Sequence, residues 1–259
     1  MIARFLATGT TGALALTAAL VTTSAHAQDR GFDPLGGRTR NVESPQHFAA
    51  EIRFSPFKPD VDSDPALGGR APYATAFGTG PNLLVSAEFD WQALRIPDVG
   101  TLGPGLGAGY STASGRAPYT APRTGLSPEQ TTLDMFPFYA VAVFRADVLW
   151  RQLHVPLVPY VKAGIAFSLW RASNTLGTSH YQGISGTGSS LGTQLALGLG
   201  LNLNVFDPYA AKNFDEAMGV NGTYLFAELD RSDLTGLGLQ KDPLRVGGTS
   251  WNFGLAFEF

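Results

Sequence analysis

The segment LGTQLALGLGLNLNV (191–205) alternates without a break from one end to the other. Leu191, Thr193, Leu195, Leu197, Leu199, Leu201, Leu203 and Val205 share one face. Gly192, Gln194, Ala196, Gly198, Gly200, Asn202 and Asn204 share the opposite face. A period of two is the mark of a β-strand, whose successive side chains point to opposite sides of the pleat. Strands in globular domains average about 5–6 residues, so this one is built to another scale. Its greasy face and its small, polar face leave two readings, a soluble all-β domain or a transmembrane β-barrel.

The scheme recurs along the chain. HFAAEIRFS (47–55) sets Phe48, Ala50, Ile52 and Phe54 against Glu51 and Arg53. LLVSAEFDW (83–91) sets Leu83, Val85, Ala87, Phe89 and Trp91 against Ser86, Glu88 and Asp90. LGPGLGAGY (102–110) alternates Leu102, Pro104, Leu106, Ala108 and Tyr110 with glycines. It lacks the strand-then-helix context that a phosphate-binding glycine loop requires. In TTLDMFPFYAVAVFRADVL (131–149), Phe136, Phe138, Ala140, Ala142 and Phe144 are expected outside. Tyr139, Val141, Val143, Arg145 and Asp147 are then expected inside.

YVKAGIAFSLW (160–170) opposes Val161, Ala163, Ile165, Phe167 and Leu169 to Lys162, Gly164, Ala166 and Ser168. TYLFAELD (223–230) opposes Leu225, Ala227 and Leu229 to Tyr224, Phe226, Glu228 and Asp230. The chain closes on WNFGLAFEF (251–259), with Trp251, Phe253, Leu255, Phe257 and Phe259 on one face. That makes eight strands, the small end of the even-numbered single-chain bacterial barrels. The fold class expected is all-β: an eight-stranded antiparallel transmembrane β-barrel, an up-and-down meander.

The connections sort by parity. Those at 56–80, 112–130, 171–190 and 231–249 are long and rich in Gly, Ser, Thr and Pro, as outward loops are. Those at 92–100 and 150–159 are shorter, which places both mature termini on the periplasmic side. The connection DPYAAKNFDEAMG (207–219) reads as a short periplasmic helix between strands six and seven. Asp207 is a good N-cap, Pro208 suits the first turn, and Gly219 can close the end. Ala210, Phe214, Ala217 and Met218 form a stripe at helical spacing, for the barrel rim or for a partner. Trp91 and Trp150 would mark one rim and Trp170 and Trp251 the other, as aromatic girdles do.

The front of the chain supports export. MIARF, the apolar run TGALALTAALV (11–21) and the sequence Ser24-Ala25-His26-Ala27 have the layout of a secretory signal peptide cut after Ala27. Residues 1–27 are thus read as the leader, 28–45 as a periplasmic segment and 46–259 as the barrel. The mature chain of 232 residues (259 less 27) would carry a formal charge near −4, because Arg4 leaves with the leader. A mildly acidic chain lacks the basic face that nucleic-acid binding calls for. With no cysteine, it has no disulfide framework.

If the apolar faces meet lipid, the charges must point inward, since Lys or Arg on the lipid face costs about 2–4 kcal/mol near the midplane. The lumen set expected is Glu51, Arg53, Glu88, Asp90, Arg145, Asp147, Lys162, Glu228, Asp230 and Glu258. Eight strands enclose a space just wide enough for side chains to fill, so a plugged polar lumen is expected. A narrow conduit is the rival, favoured by Gly103, Gly105, Gly107, Gly109, Gly192, Gly198 and Gly200, which would thin the inner wall.

Chemistry at the ends is sparse. The mature histidines are His47, His154 and His180, and their spacing assembles neither a Ser-His-acid set nor a zinc site. His180 with Ser179 and Ser185 is the outer-rim cluster to watch for a lipid-modifying enzyme. The alternate carboxylates Asp60, Asp62 and Asp64 are weak metal candidates, since Pro65 stands where a Ca²⁺ loop wants glycine. No cofactor is implied. The chain is read as a non-enzyme.

FSPFKPDVDSD (54–64), VPLVPYVKAG (155–164), DPYAAKNFDEAMGVNGTYLFAEL (207–229) and WNFGLAFEF together resemble a mainly myxobacterial family of predicted outer-membrane β-barrel proteins of unassigned biochemical role. The resemblance covers most of the mature chain and implies an outer-membrane barrel, with no functional residues to carry over. The terminal strand with Trp251, Phe253, Leu255, Phe257 and Phe259 also resembles the signal read by barrel-assembly machinery. The partners expected are therefore outer-membrane lipid and, during biogenesis, that machinery.

Overall fold

The computed structural model describes residues 47–259 apart from 117–118, 120–124, 154, 176, 182–183 and 241–242. The leader, its cleavage site at Ala27 and the 28–45 segment lie outside the described residues. Eight long strands follow the alternating segments: β1 (Phe48–Phe57), β2 (Asn82–Trp91), β3 (Gly100–Gly115), β4 (Thr131–Arg145), β5 (Leu157–Asn174), β6 (Thr187–Asn202), β7 (Gly222–Asp233) and β8 (Gly248–Glu258). Each pairs antiparallel with its neighbour in sequence, and β8 returns to β1, so the sheet closes into an up-and-down barrel.

Closure runs from Ala49↔Glu258 to Phe54↔Phe253. Phe48 N donates to Phe259 O at 2.8 Å, and Phe259 N donates back to Phe48 O at 3.0 Å. The terminal WNFGLAFEF is therefore the last stave, and closure leaves no strand edge unpaired.

The wall is inside out relative to a soluble domain. Leu106 and Leu197 on the outer surface are 66% and 65% exposed, while Lys162 and Glu228 inside are 1% and 0% exposed. The outward row on β4 is Phe136, Phe138, Ala140, Ala142 and Phe144, and the inward row is Tyr139, Val141, Val143 and Arg145, as the alternation predicts. Leucines outside and charges inside are favourable only where the surrounding solvent is hydrocarbon. None of the helices among the described residues is long and apolar enough to cross a membrane; any crossing falls to the strands.

The ends depart from the simple alternation. β6 stops at Asn202, because its side chain accepts the Asn204 N–H at 2.9 Å and turns Leu203–Val205 into a 3-10 helix. Asn204 then ties that turn to the start of β7, donating to Asn221 O and accepting from Thr223 N. A three-residue strand, Leu94–Ile96, pairs with the start of β3. In the first long loop, two 3-10 turns precede helix α1 (Pro72–Phe77). Past the end of β4, helix α2 (Val148–Leu153) fills the link to β5.

Helix α3 (Pro208–Met218) starts where Asp207 accepts the Ala210 N–H at 2.9 Å and ends at Gly219 in a left-handed conformation (φ 71°). It packs on the rim through Phe214, whose ring lies 6.5 Å from that of Phe257.

The tryptophans correct the expected girdle. Trp91 and Trp251 point outward near opposite rims. Trp170 instead faces in, because it shares parity with Lys162 and Ser168, and the side chain of Trp150 lies outside the described residues. Phenylalanines and a tyrosine complete the belts. Phe48 stacks on Phe89 at 5.4 Å where β1 starts, and Tyr110 packs on Phe136 at 5.1 Å near the long loops.

Candidate functional site

The lumen concentrates the chain's buried charge, so it is the site to build. Strand register sets the problem. Glu51 lies directly opposite Glu88, with Asp90 two residues further along β2, so β1 and β2 face like charges against each other. Like charges in cross-strand pairs repel, and a buried carboxylate persists only with partners.

Three cations resolve this. Arg53, two residues along β1, reaches Glu51 at 2.5 Å and Glu88 at 2.6 Å, with Glu228 of β7 at 3.3 Å. The Arg53–Glu88 contact is off the line of a good hydrogen bond, which makes it Coulombic. Lys162 crosses from β5 to Glu88 at 2.6 Å, Glu51 at 2.9 Å and Glu228 at 3.5 Å. Arg145 crosses from β4 to Glu51 and Asp90, with Glu258 at 3.3 Å. Glu51 is thus held by all three cations.

Six carboxylates (Glu51, Glu88, Asp90, Glu228, Asp230, Glu258) and three cations are buried in this lumen among the described residues. Neutral donors serve acids that the cations reach poorly. Gln92 and Tyr224 donate to Glu258 at 2.7 and 2.8 Å, Asn252 to Glu228 at 3.0 Å, and Gln194 to Asp230 at 2.5 Å. Tyr139 accepts from Arg53 at 2.9 Å, and the Lys162 ammonium sits 4.9 Å from the Tyr160 ring centre. Carboxylate oxygens of Glu51, Glu88 and Asp90 lie within 4.8 Å of one another, as in a metal site. Arg53, Arg145 and Lys162 already pair with these three carboxylates.

A second, apolar level closes the lumen at the end bearing the long loops. Phe57, Val61, Tyr73, Leu133, Met135, Leu234 and Val246 are buried there, with Phe77, Trp170 and Leu244 packed against them. Val61, Tyr73 and Phe77 come from the first loop, and Leu234, Leu244 and Val246 from the last. Between the two levels, Ser86, Ser111, Ser168, Gln194 and Asp230 line a cavity of about 30 Å³. At roughly 10–15 Å³ per water, that space takes a few waters and nothing larger.

Several expected placements differ. Asp147 is not in the lumen: β4 ends at Arg145, and Asp147 lies in the following link, 3.8 Å from Arg95. Asp60, Asp62 and Asp64 do not converge on a cation. The Asp62 carboxylate accepts the N–H groups of Tyr73 and Ala74 at 2.7 and 2.9 Å, anchoring the start of α1. Asp64 accepts from Ala66 N at 2.9 Å. Burial of Asp60 pushes its carboxyl above the usual carboxylate range, and Asp233 adds to this against Arg231, Lys58 and Arg245.

The inner glycines do not leave a bore. Gly107 lies opposite Tyr139 and Gly198 opposite Tyr160. A Cβ at either glycine would meet the facing tyrosine ring at 2.0 or 2.2 Å, so each ring lies across its glycine and fills the lumen. At Gly103 and Gly192 the added carbon would strike backbone, the Trp91 carbonyl at 1.7 Å and the Asp233 carbonyl at 1.8 Å.

The histidines do not assemble either. His47 sits beside Phe48 at the rim where β1 starts. Backbone pairing sets His180 opposite Ser185 among the long loops, but its side chain, like His154 as a whole, lies outside the described residues. Ser185 Oγ lies 3.1 Å from Thr187 Oγ1.

The apolar closure level escaped sequence reasoning for one reason. Alternation shows which residues face in, and says nothing about which loop folds back to meet them. The DVDSD run carried a usable signal, since an Asx residue before Pro-initiated turns is a capping pattern.

No protein-family pattern matches this chain, and no curated protein matches it. Among solved structures, the chain is similar to Ail, the attachment invasion locus protein of Yersinia pestis, crystallised with the heparin analogue sucrose octasulfate. Identity is 12%, coverage 83% of this chain and 97% of that one, and the TM-score 0.41. The N-terminal β-barrel domain of Pseudomonas aeruginosa OprF matches at 14% identity, 83% and 100% coverage, TM-score 0.38. The outer membrane enzyme PagL matches at 15% identity, 83% and 99% coverage, TM-score 0.33. What those proteins bind or catalyse does not transfer to this chain.

Proposed function

We propose that the protein is an outer-membrane barrel of structural or surface-interacting role whose lumen is closed to solutes. The observation that carries this is the double closure: an ionic layer centred on Glu51, Arg53, Glu88, Arg145 and Lys162, and an apolar layer built from two long loops. A transport path would have to break both at once. Breaking one partner of a buried ion pair costs about 3–5 kcal/mol, far above thermal energy.

The outer wall supports insertion in hydrocarbon, and the rim aromatics Trp91 and Trp251 support positioning at the two interfaces. On the bacterial layout both termini face the periplasm and the long loops face outward. The membrane part of this reading is tested by fractionation and gel mobility. The protein should sediment with outer membranes and run faster in SDS unboiled than boiled. Free solubility in buffer, with no heat-dependent shift, overturns it.

A further inference from the structure

A groove of about 740 Å³ runs along the outer wall over the seam where β8 closes on β1. Ile52, Phe54, Leu83, Leu225, Phe253 and Leu255 line it, with Ser55 and Asn82 as its polar members, so its walls are mostly hydrocarbon. Register gives its direction. The rows Leu225↔Leu255 and Ile52↔Leu255 lie at mid-wall, and Pro56 and Pro81 lie at the end bearing the long loops.

The loop end of this groove is basic. Lys58 is the next outward position after Pro56 on the β1 row. Arg231 points outward on β7, opposite Thr249 of β8. Extending the Phe54↔Phe253 register of β1 and β8 by four residues brings Lys58 to the other side of Thr249. Two cations thus flank one residue on a single cross-strand row. Their backbones are two strand spacings apart, about 10 Å. Arg245 lies in the same neighbourhood, and Asp60 and Asp233 are the acids there, leaving cations in excess. Among the described residues none of these three cations makes an ion pair.

We propose that this seam binds a diphosphorylated acyl glycolipid of the outer leaflet, with an acyl chain in the groove and its phosphates on Lys58 and Arg231. The proposal rests on the outward-facing loop end inferred above. An apolar trough leading to a paired basic row is complementary to an anionic amphiphile. A second copy of the chain is a poor occupant, because a two-fold interface over the seam would bring two copies of this cation-rich row together. Lysine and arginine are the usual phosphate ligands, arginine adding a bidentate fork.

The test uses the purified chain in mild detergent, titrated with diphosphoryl lipid A and read by native mass spectrometry. One lipid A per barrel is expected. The double variant Lys58→Gln with Arg231→Gln should weaken binding about tenfold or more. Leu225→Trp, which fills the groove at mid-wall, should weaken it about threefold. Unchanged affinity in either variant overturns the site. So does equal binding of dephosphorylated lipid A or of phosphatidylglycerol, or displacement by inorganic phosphate at millimolar concentration. Heat-dependent gel mobility is read on the same samples. Loss of lipid A binding with the shift retained sinks this proposal alone, and loss of the shift sinks the membrane reading beneath it.

Discussion

The two levels of the lumen close the same barrel by opposite physics. Near the termini, closure is ionic: Glu51, Arg53, Arg145 and Lys162 come from three strands, and each charge depends on the others. Near the long loops, closure is apolar: Tyr73, Met135, Leu234 and Val246 pack as one cluster, and the Tyr73 hydroxyl accepts from Asn82 at 2.8 Å. An ionic network fails as a unit, because removing one member strands its partners in a buried space. An apolar cluster fails locally, since neighbours can settle into part of a lost volume. The ionic level is therefore expected to set barrel stability, and the apolar level to tie the loops to it.

The difference between the two levels should be largest at Glu51. Glu51→Ala removes the acid shared by all three cations and should destabilise the barrel by about 3–5 kcal/mol in urea unfolding from lipid vesicles. A loss under about 1 kcal/mol would show that the charges are solvated and that the two levels do not differ in kind. At the apolar level, Met135→Ala should cost about 2–3 kcal/mol, low in the range for such truncations because loop residues can collapse onto the gap.

Asp62→Ala removes the carboxylate that accepts two N–H groups of α1, and should cost about 1 kcal/mol. Hydrogen exchange should rise across the first loop and not in the strands. Exchange that rises in β4 and β5 as well would mean that the cap and the barrel are one cooperative unit.

The smallest effect is the pH response of that loop. Burial first, then Asp233, holds the Asp60 carboxyl above its ordinary value, so the folded loop favours the protonated form. The associated stability is fully present below the ordinary carboxylate range and is lost as pH rises through the raised folded value. Local opening of the first loop should grow easier over that rise, and Asp60→Asn should flatten the trend. Opening that becomes harder with rising pH would reverse the assignment.

What could be read from the chain follows the same division. The strands and their facing were legible because period two survives in every stave, even in β4, where Val141 and Val143 make the inner face as greasy as the outer. The inward charges were legible from parity, because a charge between two outward leucines has one direction to point. Asp147 was misplaced because alternation has no stop signal, and the chain leaves the sheet after Arg145. Trp170 was assigned to a girdle by chemical type, although its parity already set it inside. That eight strands would leave a filled lumen was legible from barrel size, but how the glycine wall is filled was not. Gly107 and Gly198 read as open wall until register brings Tyr139 and Tyr160 across them, and register belongs to pairs of strands.

A lumen closed twice over should not conduct, and recording across a planar bilayer is the plainest check on that claim. The purified wild-type barrel should show no reproducible unitary steps, and a variant opened only at the apolar level, Met135→Gly with Leu234→Gly, should stay silent. Reproducible single-channel steps from the wild-type chain would contradict the claim, because ions would then be passing the layer that Glu51, Arg53, Arg145 and Lys162 are held to close.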